Sequence, residues 1–355
     1  MTMRTELKLT VVAVAFLGLA AGVATAQQPQ GMTPFDFSLQ LRADYTDNRD
    51  SLPEGQDEEN WDLYVKPRLD LFLDWERTIL DTFYAPAYRY RTDPSDVQNE
   101  DEFWHEFGLY GEHSVNPETT VRLSHKLDYT DDDEIAEDGV TIRRDASYML
   151  NRTEVGVNRD ITPTWIADLS ARYMEKDYDE DDVAEDSDED RTDVRGSLLK
   201  QVSPTLGVFG LARYSDFGFQ SSADLERDFT SVLLGLGFEK VMNRNVRAGA
   251  TVGWQTQDFE DSAVDVNNVP YASLWLRGTT IPTTRLTAEV EHGLRDADVF
   301  PYAAQEYTEV TGAAEWEATP KVVLGLMGKY RYSNYDEARP TGATGLAPEE
   351  GDEAR

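Results

Sequence analysis

Apolar and polar side chains alternate with a period of two in many short stretches of the chain. In residues 119–130 the odd positions from Val121 to Tyr129 carry Val, Leu, His, Leu and Tyr, while the even positions between them carry Arg, Ser, Lys and Asp. Residues 34–46 and 245–256 alternate in the same way. Because successive side chains of a β-strand point to opposite faces of its sheet, this period predicts strands with one apolar and one polar face.

We predict fifteen strands between residues 34 and 333, for example at 145–158 and at 321–333. Each stretch has about 10 to 15 residues, more than the five or six that are usual in soluble sheets. Residues 206–214 and 271–277 alternate poorly, so the direction in which their side chains face stays open.

Short turns and long acidic segments connect these strands in strict alternation. The short turns recur about every 40 residues, which indicates a repeating up-and-down layout. They lie at 74–77, 115–118, 161–164, 202–205, 242–245, 281–284 and 318–321. The acidic segments lie at 46–60, 92–101, 130–145, 177–191, 216–228, 257–268, 295–305 and after Ser333. The two ends of the strands are therefore predicted to meet different surroundings.

Two fold classes place an apolar and a polar face on one strand. A soluble β-sandwich does so, but its two loop ends are equally wet and show no systematic difference in length. Tilted strands of about 9 to 11 residues cross a bilayer core, and transmembrane barrels pair short periplasmic turns with long outer loops. We therefore predict an all-β fold, a transmembrane antiparallel up-and-down β-barrel of 15–16 strands with short periplasmic turns and long acidic extracellular loops.

Aromatic residues at the strand ends favour the same fold, since Trp and Tyr are enriched at both membrane–water interfaces of transmembrane barrels. At the long-loop end we expect an aromatic girdle of Tyr45, Tyr129, Tyr173, Tyr214, Trp254 and Tyr332. At the short-turn end we expect Trp75, Trp165 and Trp316.

The N-terminus indicates export. Arg4 and Lys8 precede an apolar run from Leu9 to Val23, and Ala24-Thr25-Ala26 fits the small-x-small pattern of signal peptidase sites. An uncleaved anchor is the alternative, although the run is short for a membrane span. We predict a signal peptide at 1–26, a linker at 27–33, the barrel at 34–335 and an acidic extracellular tail at 336–355. The chain has no cysteine, so no disulfide stabilises the exported fold.

The charge balance excludes one class of partner. The chain has 68 acidic and 33 basic side chains, and nucleic-acid binding selects clustered Lys and Arg. We therefore expect no nucleic acid as a partner.

The order of turns and strand ends resembles a known family. A turn with Ser-Pro or Thr-Pro is followed by an alternating strand that ends in Arg-Tyr, as in Thr162-Pro163 to Arg172-Tyr173, Ser203-Pro204 to Arg213-Tyr214 and Thr319-Pro320 to Arg331-Tyr332. The segments 67–71 and 88–90 complete the layout. In these features the chain is similar to the type-2 β-barrel porins of Gram-negative bacteria. The resemblance implies a porin-like activity in the outer membrane and a link to polysaccharide export.

The strand count raises a question of completeness. Bacterial single-chain barrels have even strand numbers, whereas fifteen strands leave the last residues outside the cell. We expect a 16-stranded barrel of which this chain lacks the closing strand and its terminal aromatic. An odd-stranded barrel, a miscounted strand and an open seam are the alternatives, and the open seam exposes unpaired backbone groups to lipid.

Alternation directs a set of cations into the lumen. The set comprises Arg42, Lys66, Arg68, Arg122, Lys126, Arg172, Arg247, Lys329 and Arg331. One interpretation is the passage of anionic solutes, including acidic glycans. The other is that each cation pairs with a neighbouring carboxylate along the wall and selects nothing. Both interpretations stay open at this point.

The acidic loops hold weak candidates for a metal site. Asp177, Asp179 and Asp181 supply the hard oxygen ligands that Ca²⁺ and Mg²⁺ prefer. The EF-hand pattern fails, because its sixth position here is Asp182 and its twelfth is Asp188. Solvated loops that repel each other are the simpler interpretation, and we expect neither a metal nor another cofactor.

The sequence carries no signature of catalysis. Its four histidines are His105, His113, His125 and His292, and no nucleophile elbow, zinc-protease motif or phosphate-binding loop accompanies them. We expect a barrel that is not an enzyme and that conducts solutes, or a structural and adhesive surface barrel that acts through its acidic loops. Outer-membrane lipid, lipopolysaccharide, the barrel assembly machinery and an anionic solute or polysaccharide are the expected partners.

Overall fold

The computed structural model contains one antiparallel sheet of fifteen strands. It describes residues 34–46, 60–92, 101–130, 147–179, 188–219, 228–260, 266–281, 283–297, 302–319 and 322–338. The strands are β1 (Phe35–Thr46), β2 (Asn60–Trp75), β3 (Thr78–Arg91), β4 (Asp101–Asn116), β5 (Thr119–Thr130), β6 (Tyr148–Thr162), β7 (Trp165–Tyr178), β8 (Glu189–Ser203), β9 (Leu206–Phe219), β10 (Phe229–Asn243), β11 (Val246–Phe259), β12 (Asn267–Ile281), β13 (Thr284–Asp296), β14 (Tyr302–Thr319) and β15 (Val322–Ala338).

Each strand pairs with the strand that follows it in the chain, from β1 through to β15. Among the described residues β1 and β15 are not paired with each other, so the sheet is not closed. No described helix is long and apolar enough to cross a membrane. The predicted all-β, antiparallel up-and-down fold with fifteen strands is thus confirmed.

The strands agree closely with the predicted stretches but are mostly longer at the long-loop end. β15, for example, continues to Ala338, past the predicted end of the barrel at residue 335. β6 is an exception at its start, because it begins at Tyr148 and not at residue 145. Most of the acidic segments, the N-terminal 33 residues and residues 339–355 lie outside the described residues. The predictions of a signal peptide, a linker, a tail and a missing strand therefore remain predictions.

The short turns are held by side chains that accept main-chain hydrogen bonds. Asn116 Oδ1 accepts the N–H of Glu118 at 3.0 Å, and Asn243 Oδ1 accepts the N–H of Asn245 at 2.9 Å. Ser203 Oγ accepts the N–H of Thr205 in the same way, at 3.3 Å. A short polar side chain that bonds the N–H two residues ahead mimics a backbone turn. This geometry explains why Asn, Ser and Thr open the short connections.

The opposite strand ends use a different device. Asp188, the residue before β8, accepts the N–H of Tyr178 at the end of β7 through Oδ1, at 2.7 Å. Asp228, the residue before β10, accepts the N–H of Phe219 at the end of β9, at 2.8 Å. In both hairpins a carboxylate therefore satisfies the main-chain N–H of the last strand residue before the long loop. Burial raises the pKa of the Asp188 carboxyl, and the hydrogen bond from Tyr178 opposes that rise.

The register divides the sheet into two faces, since residues directly opposite each other share a face. We call the face with Val121 and Leu236 the apolar face, and the face with Arg122 and Glu309 the polar face. Large apolar side chains on the apolar face are mostly exposed, with Leu236 70% and Leu326 76% exposed. An apolar surface that runs along the whole sheet is typical of a lipid contact.

Glycines on the polar face let β10 and β11 approach closely. A Cβ at Gly253 would lie 2.2 Å from the Leu234 carbonyl oxygen and 2.8 Å from Gly235 Cα. A Cβ at Gly237 would lie 2.6 Å from the Ala250 carbonyl oxygen. Because both obstacles include backbone atoms, side chains at these positions would force the two strands apart.

Two prolines interrupt the pairing of β2 with β3. The register runs from Asp62↔Arg91 to Val65↔Tyr88 and resumes at Leu69↔Tyr84, which leaves Pro67 facing Pro86. Proline has no N–H to donate, so two facing prolines cannot continue the ladder. The wall has a local gap in main-chain hydrogen bonding at this place.

Candidate functional site

The polar face is the candidate site, because it collects most charged side chains of the strands. The register places all nine predicted lumen cations on it, and it places the nine predicted girdle aromatics on the apolar face. For Tyr45 this placement concerns the backbone alone, where Tyr45 is opposite Trp61. The lumen and girdle roles themselves remain proposals.

Most of the predicted cations have a carboxylate partner on a nearby position of the same face. The ion pairs are Lys66–Glu106 (2.5 Å), Arg68–Asp70 (2.8 Å), Arg122–Asp168 (2.6 Å), Lys126–Asp128 (2.8 Å), Arg172–Asp193 (2.8 Å), Lys329–Glu309 (2.9 Å) and Arg331–Glu309 (2.8 Å). Arg42 lies over the ring of Tyr64 at 5.0 Å. These contacts support the interpretation of charge ladders along the wall for seven of the nine.

Glu102 is the centre of a buried cluster on β2, β3 and β4. Its two carboxylate oxygens accept from Arg89 and Arg91, each at 2.6 Å. Arg89 also lies over the Trp104 ring at 4.5 Å, and Tyr64 lies 5.6 Å from Trp104 between ring centroids. Arg89 also lies 4.0 Å from Asp62. The two arginines are thus held by two carboxylates, and Arg89 stacks on aromatic rings, which makes a rigid cluster at the long-loop end.

Asp193 is the centre of a second cluster on β7, β8 and β9. It accepts from Arg172 at 2.8 Å, from Arg191 at 3.1 Å and from Ser215 at 2.5 Å. Arg191 and Asp193 are both buried, and Arg191 lies over the Phe217 ring at 4.4 Å. A buried carboxylate with three donors is fully engaged, so it offers little to a passing cation.

Glu309 is the centre of a third cluster on β13, β14 and β15. Lys329 and Arg331 approach it at 2.9 and 2.8 Å, and Arg295 lies 3.8 Å away. Arg295 also lies over the ring of Tyr307 at 3.9 Å, and the Tyr307 hydroxyl donates to Glu291. Among the described residues, three cations therefore share the Glu309 carboxylate.

The two ends of the polar face differ in packing. Near the long loops, Phe229 stacks on Phe217 at 4.2 Å and packs against Phe259 at 5.4 Å. Tyr148 and Tyr178 pack at 5.5 Å with the Lys176 ammonium 4.4 Å from the Tyr148 ring. At the short-turn end polar-face side chains such as Arg247 and Arg285 are exposed. The long-loop end is therefore the more tightly packed part of the polar face.

Sequence reasoning missed two arginine pairs. Arg195 of β8 lies directly opposite Arg213 of β9, and Arg247 of β11 lies directly opposite Arg277 of β12. The strands 206–214 and 271–277 alternate poorly, so the direction of Arg213 and Arg277 could not be derived from the pattern alone. The Arg213-Tyr214 end of β9 was the one available signal: because Tyr214 lies on the apolar face, its neighbour Arg213 must lie on the polar face.

All four histidines lie on the apolar face, away from the charged clusters. His113 contacts Thr78 at 2.8 Å, His125 contacts Thr153 at 2.9 Å and His292 contacts Thr308 at 3.0 Å, each through its Nδ1. In each case the threonine is the direct register partner.

His105 Nδ1 contacts the Tyr84 hydroxyl at 2.7 Å. Every imidazole thus has a hydroxyl on an adjacent strand, and His292 Nε2 also lies 3.4 Å from Glu306 Oε1. These contacts satisfy ring nitrogens that face the apolar side of the sheet. These contacts give the histidines a structural explanation.

The metal candidates are only partly described. Asp179 accepts a hydrogen bond from the Tyr129 hydroxyl at 2.6 Å, and Asp177 lies opposite Met149 on the apolar face. Asp181 lies outside the described residues. Within the described part of the chain, no three carboxylate or histidine side chains form a group that could hold a metal ion.

The predicted girdle residues that the structure describes lie in surroundings that suit a membrane interface. Trp165 lies 5.2 Å from the Lys200 ammonium, and Trp254 and Tyr332 are more than half exposed on the apolar face. Large amphipathic rings at strand ends suit the boundary between lipid and water.

Comparison with known proteins identifies a family and distant folds. The chain matches the family described as "Putative beta-barrel porin 2" over residues 33–345. It is similar to the ferric yersiniabactin uptake receptor FyuA from Yersinia pestis, with 11% identity, a TM-score of 0.41, and coverage of 87% of this chain and 58% of that one.

Two further solved structures are similar at the same low level. The ferric enterobactin receptor PfeA from Pseudomonas aeruginosa has 9% identity, a TM-score of 0.47, and coverage of 86% and 54%. A bacterial polysaccharide outer membrane secretin has 12% identity, a TM-score of 0.41, and coverage of 74% and 92%. The chain spans little more than half the length of the two iron receptors. No curated protein matches the chain.

Proposed function

Because the chain belongs to the family described as "Putative beta-barrel porin 2", we propose that it is a porin-like barrel of the outer membrane through which small hydrophilic or anionic solutes pass. The apolar face lies against outer-membrane lipid and lipopolysaccharide, and the polar face surrounds water. The short turns face the periplasm and the acidic loops face outside. The barrel assembly machinery inserts the chain, and the proposal assigns it no catalytic reaction.

The observation that carries the proposal is the division of one long sheet into two chemically different faces. Apolar side chains stay exposed on one face, while ion pairs such as Arg122–Asp168 and Lys126–Asp128 cover the other. Side chains of both signs alternate along the polar face, which suits a hydrated bore. About 16 strands enclose a channel wide enough for water. A conduit for acidic polysaccharide is the larger-solute form of the same proposal.

Packing at the long-loop end supports a second candidate function. Five side chains on the polar face toward the long-loop end are each less than 2% exposed, namely Phe229, Leu233, Ser215, Gln257 and Gln305. A bore filled there by side chains would not conduct. The chain would then act as a structural or adhesive surface barrel through its acidic loops.

Single-channel recording in planar bilayers separates the two functions. The mature chain is inserted from detergent, and its insertion is checked by flotation with lipid vesicles. Stepwise currents in KCl are the result expected of a porin-like barrel. Protein that floats with the vesicles and gives no steps contradicts the pore and supports the surface barrel.

A further inference from the structure

Two arginines meet near the middle of the sheet. Arg195 is the seventh residue of β8 and Arg213 the eighth of β9, and they lie directly opposite each other on the polar face. Side chains in such a position have Cβ atoms about 5 Å apart, and like charges there destabilise a sheet. In a chain with 68 acidic side chains, two facing arginines call for an explanation.

Within the described ranges, neither arginine has a carboxylate within salt-bridge distance. By contrast Arg122, Arg172 and Arg331 on the same face each have one at 2.8 Å or less. Arg195 is exposed and Arg213 is half-buried, so solvent reaches the pair. The positive charge of the pair is therefore available to a mobile anion.

The neighbouring carboxylates are already engaged. Asp193, two residues from Arg195 on the same face, accepts from Arg172, Arg191 and Ser215. Asp168 lies on the next strand and accepts from Arg122 at 2.6 Å and from Asn158 at 3.3 Å. Neither carboxylate is free to neutralise the two facing arginines.

Hydroxyl groups flank the pair on the same face. Ser170 of β7 lies directly opposite Arg195, and Ser197 follows Arg195 by two residues along β8. A serine hydroxyl donates one hydrogen bond, and a guanidinium donates in the planar fork that fits an oxyanion. The row Ser170, Arg195, Arg213 thus aligns donors across three adjacent strands.

We infer that Arg195 and Arg213 form a binding site for an oxyanion, of the sulfate, phosphate or carboxylate class, on the polar face near the middle of the sheet. The inference rests on the proposed function, in which the polar face lines a hydrated lumen. It adds a specific site to that function. An anion moving along the bore stops at this row, because charge-assisted hydrogen bonds replace part of its hydration there.

The first test measures binding without conduction. The refolded chain in detergent is heated in sodium sulfate and in sodium chloride of equal ionic strength, and unfolding is followed by circular dichroism. Sulfate is expected to raise the melting temperature of the wild type, because a ligand that binds only the folded state stabilises it. In the Arg195→Gln/Arg213→Gln variant the sulfate effect should vanish.

The matched control is Arg122→Gln/Arg331→Gln, which removes the same number of positive charges from paired positions. It should keep the difference between sulfate and chloride. If both double variants lose the difference between sulfate and chloride equally, the site is overturned. The total positive charge of the chain, and not the facing pair, would then explain the effect. Without sulfate the Arg195→Gln/Arg213→Gln variant should be no less stable than the wild type, since the repulsion is gone.

The second test uses the current through single channels. Sulfate should reduce the chloride current of the wild type in a saturable way. In the Arg195→Gln/Arg213→Gln variant, the sulfate concentration that gives half of the maximal block should rise about tenfold for each charge-assisted contact that is lost. A conducting wild type without saturable block overturns the site and leaves the pore intact. A chain that binds sulfate in the melting test but gives no current overturns the pore and keeps the site.

Discussion

The side-chain amide of Gln255 pairs with the main chain of Leu294, 39 residues further along the chain. Gln255 Nε2 donates to the Leu294 carbonyl oxygen at 2.9 Å, and the Leu294 N–H donates to Gln255 Oε1 at 3.0 Å. The intervening strand β12 has no N–H to donate to the Leu294 carbonyl oxygen, because the β12–β13 register ends at Ala272↔His292 and would next bring Pro270 opposite Leu294. Gln255 therefore replaces the partner that a proline lacks.

Replacement of Gln255 by leucine should destabilise the long-loop end of β13. The variant leaves a buried N–H and a buried carbonyl without partners, which costs about 2 to 4 kcal/mol in unfolding free energy. Urea unfolding in lipid vesicles measures the loss. In a Pro270→Ala background a main-chain N–H becomes available opposite Leu294, so Gln255→Leu should cost less there. An equal cost in both backgrounds would contradict the replacement of proline by Gln255.

We expect the histidine and the threonine of each pair on the apolar face to be strongly coupled in their contributions to the free energy of unfolding. Thr153→Val leaves the ring of His125 unpaired and should cost about 1 to 3 kcal/mol. The double variant His125→Leu/Thr153→Val removes both polar groups and should recover most of that loss. A double-mutant cycle on unfolding in vesicles measures the coupling energy. Additive effects would show that the hydrogen bond contributes nothing against lipid.

Much of this fold could be predicted from the sequence, because alternation and turn chemistry are local. The short turns follow from residues such as Asn243 and Ser203, whose side chains bond the N–H two residues ahead. The face of Arg122 followed from the strict alternation of its strand, and the structure places it on the polar face.

The rest depended on contacts between distant strands. No local sequence pattern predicts the hydrogen bond between Gln255 and Leu294 across β12, or the position of Arg195 directly opposite Arg213. The choice between anion passage and charge ladders depended on partners such as Glu309, whose pairing with Arg331 is visible only in three dimensions. Alternation gives the face of a residue, and register decides its neighbours.

A side chain at Gly253 should disturb the close approach of β10 and β11. Gly253→Ala brings a Cβ onto the Leu234 carbonyl oxygen, and overpacking of this kind costs about 1 to 3 kcal/mol. Gly325→Ala is the matched control, since it is also a polar-face strand position and a Cβ there has no atom within 4 Å. Thermal unfolding of both variants measures the difference. Equal melting temperatures would contradict the close approach.

We expect the stability of the wild type relative to the Asp188→Asn variant to depend on pH. Asp188→Asn keeps an oxygen that can accept the Tyr178 N–H, whereas Asp188→Ala loses it and should be less stable by about 1 kcal/mol. Burial raises the pKa of Asp188 in the folded state, so the folded chain holds this proton more tightly than the unfolded chain does. The contribution of Asp188 to stability is therefore most favourable below its ordinary pKa of 3.8 and declines as the pH rises through the folded value.

Asp188→Asn has no such proton, so its stability relative to the wild type should grow as the pH rises from about 3 to 7. Unfolding of the wild type and of both variants across this range measures the trend. The gap between Asp188→Asn and Asp188→Ala should stay constant, because it reports the hydrogen bond alone. If the wild type gains stability over Asp188→Asn as the pH rises, the carboxylate is stabilised in the folded state, and the burial of its charge is not the dominant effect.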